Sequence, residues 1–147
     1  MKKVRLKAVI DTNVLLVSIS EKSKYHWLYK NLIEGKFDLF ITNEILTEYE
    51  EVISRRWHPE VAKAVVRTLI ELQNVYQTNI SFRMNLIRDD ADDNKFADCA
   101  FANNVHCLAT NDSHFNVLKR IEFPVINVVS IDEFKLLLEE NGAETDV

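Results

Sequence analysis

Four short, almost entirely apolar segments alternate with longer segments of helical periodicity along this chain of 147 residues. Strands that are apolar on both faces and are separated by helices are typical of parallel sheets buried between two helical layers. The sequence therefore predicts an α/β fold, a three-layer sandwich with a central, mostly parallel sheet of four or five strands. The four segments span residues 4–10, 38–42, 105–110 and 125–129.

Helical periodicity and capping residues predict the connecting helices. One helix is expected over residues 21–34, and the next is expected to begin at Asn43 as its cap. Ser130 and Glu133 have the spacing of a capping box at the start of the last helix. Residues 75–88 are expected to be a connector with one extended piece near Ile80. The other expected helices span residues 43–56, 59–72, 89–104 and 115–119.

The length and composition are those of one folded domain. A domain has roughly 150 residues, and 47% of this chain is apolar, with no low-complexity run. We expect a single domain over residues 1–140 and a disordered tail over residues 141–147. No segment approaches the roughly 18 uninterrupted apolar residues of a membrane helix, and two cysteines are too few for a disulfide framework. The protein is therefore expected to be cytoplasmic, without a membrane partner.

Scarce glycine and negative charge exclude several functions. Gly35 and Gly142 are the only glycines, whereas a phosphate-binding loop or a dinucleotide fingerprint needs several close together. The net charge of -5 argues against binding nucleic acid over a broad basic surface. It still allows phosphate binding through a metal ion held by carboxylates, because the ion supplies the positive charge.

Acidic residues stand at the carboxyl ends of two of the predicted strands. Asp11 follows the first strand, and Asp112 follows the strand at 105–110. Right-handed crossovers place the carboxyl ends of parallel strands at one edge, so both side chains are expected there, where sites form in open α/β sheets. A carboxylate at the end of a buried strand needs hydrogen-bond donors or a cation to offset its desolvation.

Two predicted helices bring further acids to this edge. Asp93 shares a helical face with apolar residues, whereas Asp98 points away from the sheet. In the helix over 43–56, both Glu48 and Glu50 border the apolar stripe, and periodicity does not choose between them. Taken one at a time, such acids are commonly caps or solvated helix residues.

The density of acids predicted at this edge indicates a metal ion. Three or four converging carboxylates repel one another unless a cation joins them. Oxygen ligands of this kind suit Mg²⁺ or Mn²⁺. With a metal-bound water as the nucleophile, the chemistry that follows is hydrolysis of a phosphodiester bond.

Four segments contain the acids described above, in the order VIDTNVLL, LTEYEEVI, DDADDNKFADCAFA and CLATND. In order and spacing they resemble the acidic motifs of PIN-domain ribonucleases. The similarity spans nearly the whole chain and is closest to the bacterial branch of small, single-domain PIN proteins that are toxin components of type II toxin-antitoxin pairs. The resemblance implies a PIN-like fold.

The resemblance also implies roles for six residues. The catalytic and metal-binding acids of the family fall on Asp11, Glu48, Asp93 and Asp112. Its supporting polar residues fall on Asn13 and Thr110. The resemblance thus selects Glu48 over Glu50. The crowding of acids before Asn94 leaves the third position open between Asp93 and a neighbour such as Asp92 or Asp90.

The family further implies cleavage of single-stranded or loop RNA with Mg²⁺ or Mn²⁺, which leaves a 5′-phosphate and a 3′-hydroxyl. Two protein partners are implied: an antitoxin that inserts a segment into the acidic cleft, and a second copy of the chain in a homodimer. We therefore expect a metal-dependent endoribonuclease that acts as the toxin of a toxin-antitoxin pair.

Two other functions stay open. A receiver-like signalling domain is also a small parallel α/β protein with acids at this edge, but it expects a lysine at the end of a late strand, where Ser130 stands. Uptake of phosphate from a small phosphodonor would support it. A PIN fold that has lost catalysis and only binds a partner would have the same motif order.

The segment KSKYHWLYK, residues 22–30, has two interpretations. Its alternating lysines and aromatic residues are suited to a wall that stacks bases and binds phosphate beside Asp11. Alternatively, Tyr25 and Tyr29 belong to a core stripe and the lysines face solvent, which is the interpretation we favour. His114, two residues after Asp112, lies at the rim of the same edge and could contact a substrate.

Overall fold

A five-stranded parallel sheet forms the centre of the protein. A computed structural model describes residues 5–81, 83–87, 91–122 and 125–142. The strands occur in the order β3-β2-β1-β4-β5, and every pairing is parallel. The predicted α/β fold with a central parallel sheet is thus confirmed. The strands are β1 (Leu6–Ile10), β2 (Phe37–Ile41), β3 (Val75–Gln77), β4 (Cys107–Ala109) and β5 (Val128–Val129).

The chain is wound in two directions from the central strand β1. It runs outward through β2 to β3 and then returns to the other side of β1 for β4 and β5. Such a reversal opens a crevice at the carboxyl ends of the strands on either side of it, here β1 and β4. Their register pairs Ile10 with Ala109, so Asp11 and Thr110 are the next residues on neighbouring strands.

Helices cover both faces of the sheet. All five residues of β2 are buried, which requires a layer on each side. On one side, Phe134 packs against Trp27 and Phe37. Within the described part of the chain, the helices are α1 (Thr12–Ser18), α2 (His26–Ile33), α3 (Asn43–Arg56), α4 (Pro59–Glu71), α5 (Asn94–Ala102) and α6 (Ile131–Glu140). Two 3₁₀ segments span Ala91–Asp93 and Ser113–Arg120.

The sequence patterns missed one helix and misplaced several other features. Helix α1 was not predicted, because its seven residues, with an apolar run in the middle, are too few to show an amphipathic period. The helix expected over residues 21–34 begins only at His26. The cap of α3 is Thr42 rather than Asn43, since the Thr42 Oγ1 accepts from the Ile45 N at 3.2 Å. Strand β3 precedes the extended piece expected near Ile80, and it is a short, mostly exposed edge strand.

Some predicted features lie outside the described residues. These are Asp90 and most of the expected tail, residues 143–147. The capping box at Ser130 is present, with Ser130 and Glu133 bonded reciprocally. None of the helices in the described ranges has the length and apolar character needed to cross a membrane.

Asn74 joins three parts of the fold. Its side chain is buried, and its Nδ2 donates to the carbonyl oxygens of Leu32, at 2.9 Å, and Phe37, at 2.7 Å. Its own carbonyl oxygen accepts from the Leu39 N at 2.8 Å. One amide side chain therefore connects the end of α2 and the start of β2 to the loop before β3.

Replacing Asn74 with alanine is expected to lower the free energy of unfolding by about 2 kcal/mol, because two buried carbonyl oxygens lose their donor. Urea denaturation followed by circular dichroism measures the change. The neighbouring, exposed Gln73→Ala substitution is the control, and its effect should stay within about 0.5 kcal/mol. A loss in Asn74→Ala no larger than that of the control would contradict this role for Asn74.

Candidate metal centre

Asp11 ends β1 with a buried carboxylate. The residue is 4% exposed, and its Oδ2 accepts a hydrogen bond from the Thr110 Oγ1 at 2.8 Å. The same Thr110 oxygen accepts from the Asp112 N at 3.0 Å. This chain of hydrogen bonds fixes the ends of β1 and β4 relative to each other, and it places Asp112 beside Asp11.

The surroundings of Asp11 disfavour its charge. Burial is the largest cause that raises the pKa of Asp11 above its ordinary value of 3.8, and the charges of Asp112 and Glu48 raise it further. The hydrogen bond from Thr110 acts in the opposite direction and lowers the pKa. The pKa is nevertheless raised, so these hydrogen bonds do not fully offset burial and repulsion.

Asp93, Asp112 and His114 form a tight group, and Asp112 is the member that interacts with Asp11. One ligand atom from each of the three residues lies within 4.8 Å of the others. The His114 Nδ1 is 3.4 Å from the Asp112 Oδ1 and 3.7 Å from the Asp93 Oδ2. Asp93 is buried, Asp112 is half-buried and His114 is exposed. The group therefore extends from the interior to solvent.

Two helical segments hold these acids in place. Asp93 ends the first 3₁₀ segment and directly precedes α5. Asp112 caps the second 3₁₀ segment, because its Oδ1 accepts from the His114 N at 2.9 Å. The start of a helical segment carries partial positive charge, which stabilises a carboxylate there.

Glu48 is held by two groups on neighbouring elements. Its Oε2 accepts a hydrogen bond from the Thr12 hydroxyl, and its Oε1 lies 2.8 Å from the Lys95 Nζ. The Lys95 Nζ also donates to the Asp92 carbonyl oxygen at 2.6 Å, and its side chain is only 13% exposed. Lys95 therefore brings a largely buried positive charge next to the acids.

Sequence reasoning did not identify Lys95. Its contact with Glu48 joins α5 to α3 and depends on the packing of the two helices, which no local pattern shows. The signal in the sequence would have been its position two residues after Asp93, at the start of a helix whose other face is buried.

The structure brings the four acids selected by the resemblance to the same edge of the sheet. Two neighbouring acids lie elsewhere. The Oδ1 of Asp98 accepts from the Met84 N at 3.2 Å, and Glu50 lines a separate cavity with Lys63. Asp92 is exposed, in contrast to the buried Asp93. Asn13 is exposed and lines a cavity beside the cluster.

The donor set fits a divalent cation. Carboxylate oxygens are the ligands preferred by Mg²⁺ and Mn²⁺. The imidazole of His114 adds a nitrogen atom of the kind that first-row transition metals bind. A cation at this position would also relieve the repulsion that Asp112 and Glu48 exert on Asp11.

Fold and site together define an α/β protein with a cluster of acids at the switch point of a parallel sheet. The family model of the PIN domain matches residues 7–114 of this sequence. The chain therefore belongs to the PIN domain family, as the resemblance of its motifs predicted. PIN domains are generally nucleases that use divalent metal ions. Membership of this family sets aside the receiver-like alternative.

Solved structures show the same fold. VapBC2 from Rickettsia felis, in a crystal structure bound to a DNA fragment from its promoter, matches with a TM-score of 0.60 and 17% identity, over 85% of this chain and 98% of the other. The PIN domain endonuclease Utp24 matches with a TM-score of 0.50 and 18% identity, over 84% of each chain.

A third structure extends the comparison. The PIN domain of T. brucei RRP44 matches with a TM-score of 0.54 and 7% identity, over 95% of this chain and 84% of the other. At these identities the likeness concerns the fold alone. No curated protein sequence matches this chain at a significant level.

The metal-free protein is expected to become more stable at neutral pH when Asp11 is replaced by asparagine. Because the pKa of Asp11 is raised in the folded state, its contribution to stability is present below about pH 3.8 and is lost as the pH rises through the folded-state pKa. Asparagine does not titrate, so Asp11→Asn should unfold at a higher temperature than the wild type above that window.

Thermal melts in chelator at a series of pH values measure the difference, which should shrink as the pH falls. Asp132→Asn, at an exposed position on α6, removes one negative charge elsewhere and should give no such gain. A difference in melting temperature between wild type and Asp11→Asn that is zero, or that stays the same at every pH, would contradict the expected cost of the buried charge.

Proposed function

We propose that this protein is a metal-dependent endoribonuclease, which hydrolyses phosphodiester bonds in RNA. The observation that carries the proposal is the convergence of Asp11, Glu48, Asp93 and Asp112 at one edge of the sheet, in a chain of a nuclease family. The choice of RNA rests on the motif resemblance to PIN-domain ribonucleases. The fold likeness to Utp24, a PIN domain endonuclease, supports internal cleavage.

The residues of this site would bind the metal ion and orient its ligands. Asp93, Asp112 and His114 would hold Mg²⁺ or Mn²⁺, with the carboxylate of Asp11 completing the ligand set. The bound ion supplies a nucleophilic water and stabilises charge on the attacking and leaving oxygens. Thr110 orients Asp11 through its hydrogen bond and helps to keep the carboxylate ionised.

Lys95 and Glu48 would adjust the charge of the cleft. An RNA phosphate is negative, and a cleft lined only by carboxylates repels it. The ammonium group of Lys95 neutralises Glu48 at 2.8 Å and lowers that repulsion. Because Glu48 is bound by Thr12 and Lys95 on its two oxygens, its orientation is fixed before substrate arrives.

Purified protein should cleave single-stranded RNA when Mg²⁺ or Mn²⁺ is present and stop when the ion is chelated. Asp11→Asn and Asp93→Asn should each lower the rate by a factor of about 100 or more, because each removes a charged ligand at the reacting centre. Gel analysis of a labelled RNA gives the rate and the chemistry of the new ends. Calorimetric titration with Mn²⁺ should show weaker binding in the same variants.

Asp92→Asn is the matched control, since it makes the same chemical change one residue away at an exposed position. It should retain most of the activity. Loss of activity in Asp92→Asn with retention in Asp93→Asn would move the third acid by one residue. Full activity in both Asp11→Asn and Asp93→Asn would refute the proposed centre, and Mn²⁺ binding without cleavage would indicate a PIN fold that only binds a partner.

The finer proposal is that this nuclease is the toxin of a toxin-antitoxin pair and forms a homodimer. It is supported by the motif resemblance and by the fold likeness to VapBC2, over nearly all of the matched chain. An antitoxin segment would enter the acidic cleft and keep RNA out.

Expression of the protein alone should therefore arrest bacterial growth, and the Asp93→Asn variant should not. Co-expression with the product of an adjacent short reading frame should restore growth, and the two proteins should purify together. Growth arrest that is equally strong with Asp93→Asn would contradict a toxin that acts through its nuclease centre.

A further inference from the structure

A cavity of about 330 Å³ opens directly beside the acids. Asp11 and Asp112 line the side that faces the candidate metal centre. Much of the remaining wall is apolar and comes from α1 and the residue before α2, through Val14, Val17 and Tyr25. A group bound in this cavity would therefore touch the acids at one end and an aromatic and aliphatic wall at the other.

Two amide side chains line the same cavity, and the structure defines the orientation of one. The Asn111 Oδ1 accepts a hydrogen bond from the backbone N of Ile131 at 3.1 Å, so the NH₂ group is the other end of this amide. No acceptor for that NH₂ group occurs among the residues that the structure describes. Asn13 is exposed and also lines the cavity.

Tyr25 lies at the cavity wall, and the ammonium group of Lys24 lies over its ring. Its backbone N donates to the Ser23 Oγ at 3.1 Å, and its side chain is half-buried. The Nζ of the exposed Lys24 lies 5.0 Å from the centre of the Tyr25 ring. In a chain with a net charge of -5, this lysine holds a cation against an aromatic ring of the cavity wall, where it could attract an anion attached to the bound group.

The combination fits one nucleoside of a polynucleotide. Ligand pockets typically measure roughly 300 to 1,000 Å³, so this cavity is at the small end and suits a single base with its sugar. Unstacked bases of single-stranded RNA bind by stacking on aromatic side chains and by hydrogen bonds to their edges, with cations near the phosphates. The aromatic wall would supply the stacking, the amide of Asn111 the hydrogen bond to the base edge, and Lys24 the cation near the phosphate.

We propose that this cavity binds the nucleobase next to the scissile phosphate. Tyr25 provides the stacking surface, and the Asn111 NH₂ donates to an acceptor on the edge of the base. The assignment rests on the proposed nuclease function and extends it, because it names residues that determine which base precedes or follows the cut. A peptide segment of a protein partner is the competing occupant.

Binding is measured first, without catalysis. In the Asp93→Asn background, fluorescence anisotropy follows the binding of labelled single-stranded oligoribonucleotides, and Mn²⁺ titration of otherwise wild-type protein reports on the metal centre. Tyr25→Ala should weaken oligonucleotide binding about tenfold, as expected from the loss of one stacking contact. Tyr25→Phe keeps the ring and should bind within about twofold of the parent. Neither substitution should change Mn²⁺ affinity.

Cleavage kinetics then test specificity. Substrates that differ only in the bases flanking the cut should show a base preference in the wild type. Tyr25→Ala should raise KM with little change in kcat and reduce that preference. Trp57→Ala is the matched control, because it removes an exposed aromatic side chain that does not line this cavity.

Several results would overturn the proposal. These are unchanged oligonucleotide affinity and base preference in Tyr25→Ala, a parallel loss of Mn²⁺ affinity, or a loss of binding to a partner protein while RNA binding stays intact. If no RNA is cleaved with any metal, the nuclease proposal fails. In that case the anisotropy result still decides whether the cavity binds a base.

Discussion

The buried carboxylate of Asp11 is the constraint to which the rest of this edge of the sheet responds. A charged group at the end of a buried strand loses its hydration. The hydrogen bonds from the Thr110 side chain and the Thr12 backbone offset only part of that loss. Asp112 and Glu48 add repulsion. The charge of Asp11 thus lowers the stability of the metal-free protein and would strengthen the attraction for a cation, so stability and ion affinity would be coupled through this residue.

The balance of charge in the cleft depends on Lys95. With Glu48 bound to that lysine at 2.8 Å, Asp11, Asp93 and Asp112 would be the carboxylates that hold a divalent ion in the proposed centre. Neutralising Glu48 inside the protein reduces the excess of negative charge that an incoming phosphate would meet. The ion pair links α3 to α5, and the Thr12 hydroxyl attaches α1 to the same carboxylate. Three helices are therefore joined at the position where substrate charge would have to be accommodated.

Much of this arrangement could be predicted from the sequence, for reasons that are local. Asp11 and Asp112 were identified because each lies within three residues of the end of an apolar strand, and parallel topology then brings strand ends together. Choosing Glu48 over Glu50 required the motif resemblance, since both border the same helical stripe. Lys95 was missed because its contact partner is distant in the chain. Helix α1 was missed because a segment of seven residues is too short to show a helical period.

The scarcity of glycine is consistent with a site that does not bind phosphate through a glycine-rich loop. The turn from β1 into α1 passes through Asp11 in extended conformation and needs no glycine, so the backbone amides there form no open loop around a phosphate. In glycine-rich phosphate sites those amides bind the anion. In the proposed nuclease the attraction would come from positive charge instead, through a divalent ion at the acids and the ammonium groups of Lys95 and Lys24. Binding of an anionic polymer should then depend on the ion and on ionic strength more than on backbone geometry.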